Sequence, residues 1–154
     1  MRYLLDTGIL VRALHRPDPE NARIRETLQV LNSRGHALVC ARQNLVEFWG
    51  LCTRPSLARG GFDLSVEETA KRLRLLERFV TVLNEPDSTY SIWKSLVLRY
   101  RVRGKQVHDA KIVSVMLAYR VRRILTLNES DFARYREIQA VSPAAVIGAR
   151  AKHA

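Results

Sequence analysis

The sequence predicts an α/β sandwich, a mostly parallel central sheet flanked by helices, and three observations carry that prediction. Short, uninterrupted apolar runs at residues 2–5, 37–41 and 124–126 have the length and continuity of strands covered on both faces. Between them lie longer stretches with apolar residues at helical spacing, so strand and helix alternate as crossover connections require. The chain has 154 residues, 47% of them apolar, with no internal repeat or linker. That suits one full core. A single domain over residues 1–147 is expected, followed by a flexible basic tail at 148–154.

Arg2 to Leu5 reads as the first strand, closed by Asp6 at the kind of rim where open α/β sheets hold their ligands. Asp is also a good helix N-cap, and both readings stand at this point. Ile9 to His15 reads as a short helix stopped by Arg16-Pro17-Asp18-Pro19, and Ile24, Leu28 and Leu31 mark a second helix ending at Gly35. Ala37 to Ala41 is the second strand. In the helix from Gln43 to Thr53, Leu45, Phe48, Trp49 and Cys52 form one apolar face, and Glu47 projects nearly opposite it, toward solvent or a cleft. Arg54-Pro55 ends this helix, and Gly60-Gly61 opens a flexible stretch before Ser65, which with Glu68 signals a capping box.

Phe79 to Leu83 reads as a strand or strand-like connector, and Pro86-Asp87-Ser88 caps a helix with the stripe Trp93, Leu96, Val97 and Tyr100. Residues 99–123 then hold eight Lys or Arg against one acid, Asp109. The helix that Asp109 opens, Ala110 to Tyr119, is apolar almost all round and belongs deep in the domain, with Lys111 and Ser114 escaping burial. At its N-terminus the helix dipole favours an anion, a place that suits a cap and a metal ligand alike. Ile124-Leu125-Thr126 is the last core strand. It runs into a polar loop with Asn128 and Asp131, repeating the arrangement at Asp6, and Ile138 to Val141 adds an edge strand before Pro143.

The net charge of +11 points to a polyanionic partner, most often nucleic acid. Cys40 and Cys52 sit in apolar contexts with no CxxC or Cys/His cluster, which indicates buried thiols in a reducing cytosol and no structural zinc. The apolar run broken by Asp6 is too short for a signal peptide, and no segment has the length of a membrane span, so a cytoplasmic protein is expected. Asp6, Glu47, Asp109 and either Asp131 or Asn128 can meet at one sheet edge. Carboxylates gathered there repel one another without a cation, and oxygen-only ligands select Mg²⁺ or Mn²⁺. In a basic domain that combination suggests phosphodiester hydrolysis.

The segments LLDTGIL, NLVEFWG, HDAKIVSVMLA and ILTLNESDF, in this order and spacing, resemble the acidic motifs of PIN-domain ribonucleases, particularly VapC-type toxins of toxin–antitoxin pairs. The resemblance implies a PIN-like three-layer sandwich in which Asp6, Glu47 and Asp109 are metal-site carboxylates, with Asn128 or Asp131 completing the set. It implies one or two Mg²⁺ ions, a water oriented by Glu47 or Asp131, and products with 5′-phosphate and 3′-hydroxyl ends. Thr7 and Thr126 would be supporting hydroxyls or substrate contacts, and Arg103 and Lys105 would hold substrate phosphates. RNA as substrate, a small antitoxin over the acidic cleft, and a homodimer follow from the same resemblance; the apolar residues of the helices around Leu45 and Leu73 are candidates for the dimer face, which the sequence does not identify. The rival is a catalytically silent PIN-like module that binds nucleic acid or protein. A haloacid-dehalogenase-like phosphatase fits poorly, because Gly8 stands where that family needs a second Asp.

Overall fold

The computed structural model describes residues 1–57 and 60–151, and the expected tail beyond 151 lies outside them. Its sheet has five parallel strands: β1 (Arg2–Leu5), β2 (Ala37–Ala41), β3 (Thr81–Leu83), β4 (Arg123–Leu125) and β5 (Gln139–Val141), in the order β3-β2-β1-β4-β5. The central strand β1 pairs with both β2 and β4, setting Leu4 between Val39 and Ile124. The strand sheet is thus wholly parallel rather than mostly so.

Alternation along each strand sorts the core into two halves. Tyr3, Leu5, Cys40 and Leu125 face one layer, made by α1 (Thr7–Ala13), α2 (Asn21–Ser33), α3 (Arg42–Thr53), α4 (Val66–Phe79) and α8 (Pro143–Ala151). Leu4, Val39, Ala41 and Ile124 face the other, made by α5 (Ser88–Arg99), α6 (Val107–Ala118) and α7 (Glu129–Phe132). Because β1 is covered on both faces, Leu4 and Leu5 lose all contact with solvent. The result is the expected three-layer sandwich, and no helix among the described residues is long and apolar enough to cross a membrane.

Several local details differ from the sequence-based expectations, each for a definable reason. Helix α1 begins at Thr7, two residues early, because Asp6 caps it directly. Helix α6 begins at Val107, fed by a 3-10 turn at Gly104–Gln106, so Asp109 is its third residue and Gln106 its cap. Ser114 is fully buried, since its hydroxyl is satisfied by the Lys111 carbonyl (2.6 Å), whereas Lys111 reaches out to Glu85 (3.3 Å). Asp87 occupies the cap position of α5 without a side-chain cap bond. Pro143 opens α8 instead of merely ending β5, as its missing N–H and fixed φ allow at a first helical position, and the helix runs to Ala151, past the boundary expected at 147.

Gly60 has a φ of 78°, but Gly61 is held by close packing: a Cβ there would lie 2.1 Å from the Pro55 carbonyl oxygen. The same tetrapeptide, Tyr-Arg-Val-Arg, ends α5 and α6. In both, the Arg (Arg101, Arg120) takes a left-handed φ and the Val N–H reaches back to the third residue before the cap, closing a Schellman turn.

Candidate metal centre

All five strands point their C-terminal ends the same way, and the predicted acids cluster at that edge. Asp6 is the first of them. Its N–H still bonds to Leu125 O (3.0 Å), continuing the ladder, and its carboxylate then turns the chain into α1. Oδ1 accepts from the Thr7 N–H (2.8 Å) and Oδ2 from the Thr126 hydroxyl (2.7 Å). The cap and the site acid are therefore one residue, and each oxygen keeps a further lone pair. Burial raises the pKa of Asp6, the two hydrogen bonds oppose this, and Glu47 and Asp131 add to it; the net shift is upward.

Glu47 is fixed by neighbours on two helices. The Thr7 hydroxyl donates to its Oε2 (2.7 Å) and Gln43 Nε2 to its Oε1 (2.8 Å). Asn44, fully buried, donates to Thr7 Oγ1 (3.1 Å) and accepts from the Ala41 N–H (2.9 Å), so the end of β2 orients Glu47 through two side chains. Gln43 Nε2 also donates to the His108 carbonyl (3.0 Å), which ties α3 to the turn that carries Asp109. Its Oε1 is buried with no partner among the described residues.

Asp109 sits in the first turn of α6. Burial first, then the charges of Asp131, Asp6 and Glu47, push its pKa up to about 7, with Arg134 pulling the other way. Those same causes place the other three carboxylates close enough to act on Asp109. Asp131 lies in the first turn of α7, exposed, and Asn128 is the cap residue of that helix, its N–H donating to Thr126 Oγ1 (3.0 Å). Asp131, not Asn128, supplies the fourth charge felt by Asp6 and Asp109.

Other predicted site residues divide clearly. Thr7 and Thr126 are buried and their hydroxyls are used on Glu47 and Asp6, which makes them positioning residues rather than substrate contacts. Arg103 and Lys105 are exposed on the turn before α6. Gln43, Asn44 and Arg134 are the residues that sequence reading did not single out. Arg134 donates to Gln106 Oε1 (2.8 Å) and is the cation nearest in effect to Asp109.

The sequence matches the PIN domain family over residues 3–138. The chain belongs to the PIN domain family. Comparison with curated proteins gives no match. Among solved structures, this PIN domain is similar to a chain of VapBC2 from Rickettsia felis bound to a promoter DNA fragment, with 16% identity, a TM-score of 0.71, and 92% and 98% of the two chains covered. It is similar to VapC20 of Mycobacterium tuberculosis, described as a sarcin-ricin loop cleaving toxin (15% identity, TM-score 0.64, coverage 86% and 95%). A toxin–antitoxin complex from Klebsiella pneumoniae is a third (18% identity, TM-score 0.60, coverage 92% and 97%). At these identities the likeness concerns the fold.

Whether the PIN domain's acids fit a metal rests on charge and donor type. Among the described residues no three His, Cys, Asp or Glu side chains form a ready-made cage. The donors are nevertheless all oxygen, Asp109 resists ionisation beside the other acids, and Gln43 Oε1 is an unpaired buried acceptor at the same edge. A hard divalent cation matches each of those three features.

Proposed function

We propose that this PIN domain is a Mg²⁺-dependent endoribonuclease, Mn²⁺ being a competent substitute, and the toxin of a toxin–antitoxin pair. The observation that carries the reading is the raised pKa of Asp109 among Asp6, Glu47 and Asp131, four acids drawn from four separate segments to one edge of the sheet. The sarcin-ricin loop cleavage named for the Mycobacterium tuberculosis relative supports RNA as the substrate.

Asp6, Glu47, Asp109 and Asp131 would hold the metal, with Asn128 at the margin. When bound, such an ion acidifies a water and offsets charge on the phosphoryl oxygens. The chain's own residues set the rest. Thr126 and the Thr7 N–H orient Asp6 and oppose the effect of its burial. Thr7 and Gln43 hold both Glu47 oxygens, leaving it aimed and able to orient a nucleophilic water. Arg103, Lys105 and Arg134 flank the start of α6 and supply positive charge for substrate phosphates.

An antitoxin is the expected protein partner. The apolar trough of about 360 Å³ between α1, α2 and α4, lined by Leu14, Leu28, Leu75 and Phe79, supports one. A homodimer remains part of the proposal, but Leu45 and Leu73 pack against the core, and the exposed large apolar side chains of their helices are Val46, Val66, Leu75 and Phe79. A cytoplasmic location accords with two unpaired, buried cysteines.

The test is incubation of antitoxin-free protein with structured RNA, in Mg²⁺ or EDTA, beside Asp109→Asn. Cleavage requiring both Mg²⁺ and Asp109 is the expected result. RNA binding without cleavage under Mg²⁺ and Mn²⁺, by correctly folded wild type, would favour the silent-module reading.

A further inference from the structure

The acids occupy one end of the sheet, and the net charge of +11 must therefore be carried elsewhere. Much of it gathers at the opposite end. Arg2 opens β1, Arg123 opens β4, and Arg120 and Arg122 lie on the turn between α6 and β4. Together they line a depression of about 460 Å³, floored by Gly35 and Ala37.

Among the described residues none of these four arginines pairs with a carboxylate. Arg2 donates to the Tyr119 carbonyl (2.6 Å), Arg122 to the Glu137 carbonyl (3.0 Å) and Arg123 to the Tyr3 hydroxyl (2.8 Å). These bonds aim the guanidinium groups without neutralising them. Arg123 also lies over the Tyr3 ring (5.6 Å), and the His36 ring is tilted against that tyrosine (5.3 Å between centroids). The pKa of His36 is lowered by burial first and then by positive charges, Arg123 and Arg34 among them, with no acid acting in the other direction. Four like charges, three of them held by backbone or hydroxyl acceptors, repel one another, an arrangement that an incoming polyanion relieves.

We propose that this depression is a second nucleic-acid site, which holds phosphates of the RNA at a distance from the bond being cut. The proposal rests on the ribonuclease reading above. Two rulers give the separation: Arg2 to Asp6 spans ~13 Å of strand, and Asp109 to Arg120 spans ~16 Å of helix. An RNA engaged at both ends must pass around the flank of the domain. Short oligonucleotides reach only the acidic edge, and folded RNA reaches both, so the arginines select for large, structured substrates. Guanidinium groups suit this role because they grip phosphate bidentately and stay charged.

The experiment measures binding of the full chain to a labelled RNA hairpin in EDTA across a salt series, comparing wild type with Arg120→Gln/Arg122→Gln and Arg120→Lys/Arg122→Lys. Both positions are exposed, and Gln at residue 120 adopts the same left-handed φ of 56° at no greater strain than Arg. Loss of two phosphate contacts should lower the slope of log affinity against log salt by about 1.5 to 2 and weaken binding about tenfold at low salt. The Lys pair should keep both. With Mg²⁺, the Gln pair should raise KM for the hairpin about tenfold at unchanged kcat, and cleave a short oligonucleotide as wild type does. An unchanged salt slope in the Gln pair would overturn the proposal, as would equal losses on short and long RNA, or polyglutamate binding there while RNA does not. If no RNA is cut at all, the ribonuclease reading fails, and the EDTA binding series still decides whether the site exists.

Discussion

Replacing Asp109 with Asn removes a charge that burial and the other three carboxylates all oppose. Burial and those charges move the residue from 3.8 to about 7, a little over three units. At about 1.4 kcal/mol per unit the full cost is about 4 kcal/mol, and partial access to water reduces it to ~2 kcal/mol. The sign follows from the direction: the unfolded chain ionises near 4, the folded one only near 7, so this group subtracts stability progressively across that interval and by a constant amount above it. Asp109→Asn lacks the penalty. In EDTA at pH 8 it should melt ~4–8 °C above wild type, with the difference vanishing near pH 4. Mg²⁺ or Mn²⁺ should then raise the wild-type melting temperature and leave the variant nearly unmoved. Differential scanning fluorimetry at several pH values, with and without metal, is sufficient. A variant no more stable than wild type at pH 8 in EDTA would refute the claim that these acids share one cleft.

Three further outcomes follow from the same geometry. Thr126→Val leaves Asp6 Oδ2 and the Asn128 N–H without their shared partner, and should cost ~1–3 kcal/mol in urea denaturation and weaken Mn²⁺ binding by titration. Burial pushes the Cys40 thiol up to about 12 and the Cys52 thiol up to about 11, so neither should react with a thiol reagent at pH 8 until denaturant is added; rapid native labelling would contradict the packing described. Gly61→Ala places a methyl 2.1 Å from the Pro55 carbonyl oxygen, and should destabilise the fold by ~1–3 kcal/mol, which a chemical denaturation curve would show.

The buried strands were legible because a parallel strand covered on both faces must be apolar along its covered length, as β2 is throughout and β1 and β4 are after their opening arginines. The edge strands were less so: Thr81–Leu83 is three residues long and half-buried, which leaves its pattern close to that of a connector. Helix α8 went unread because Pro143 looks like a stop when its helix consists mainly of small residues. Asp6, Asp109 and Asp131 stood out as acids at the ends of apolar segments, and Glu47 as an acid nearly opposite the apolar face of its helix. Asn44 and Gln43 did not, since a neutral amide at a helix start gives no sign that its partner is Thr7, 37 residues earlier, or the His108 carbonyl, 65 later. The choice between Asn128 and Asp131 depends on how a four-residue helix turns, which spacing alone does not determine.

The hydrogen bond from Thr126 to Asp6 joins residues 120 apart, and β1 completes its pairing only with β4. In a chain still being synthesised, β1 can pair with β2 and bring Thr7 to Glu47, but Asp6 gains its Thr126 partner only once residue 126 is free to pair. Long-range closure of this kind is slow and comes late in folding. On the ribonuclease reading, this late closure leaves the acidic edge without its Thr126 support while the chain is still being made.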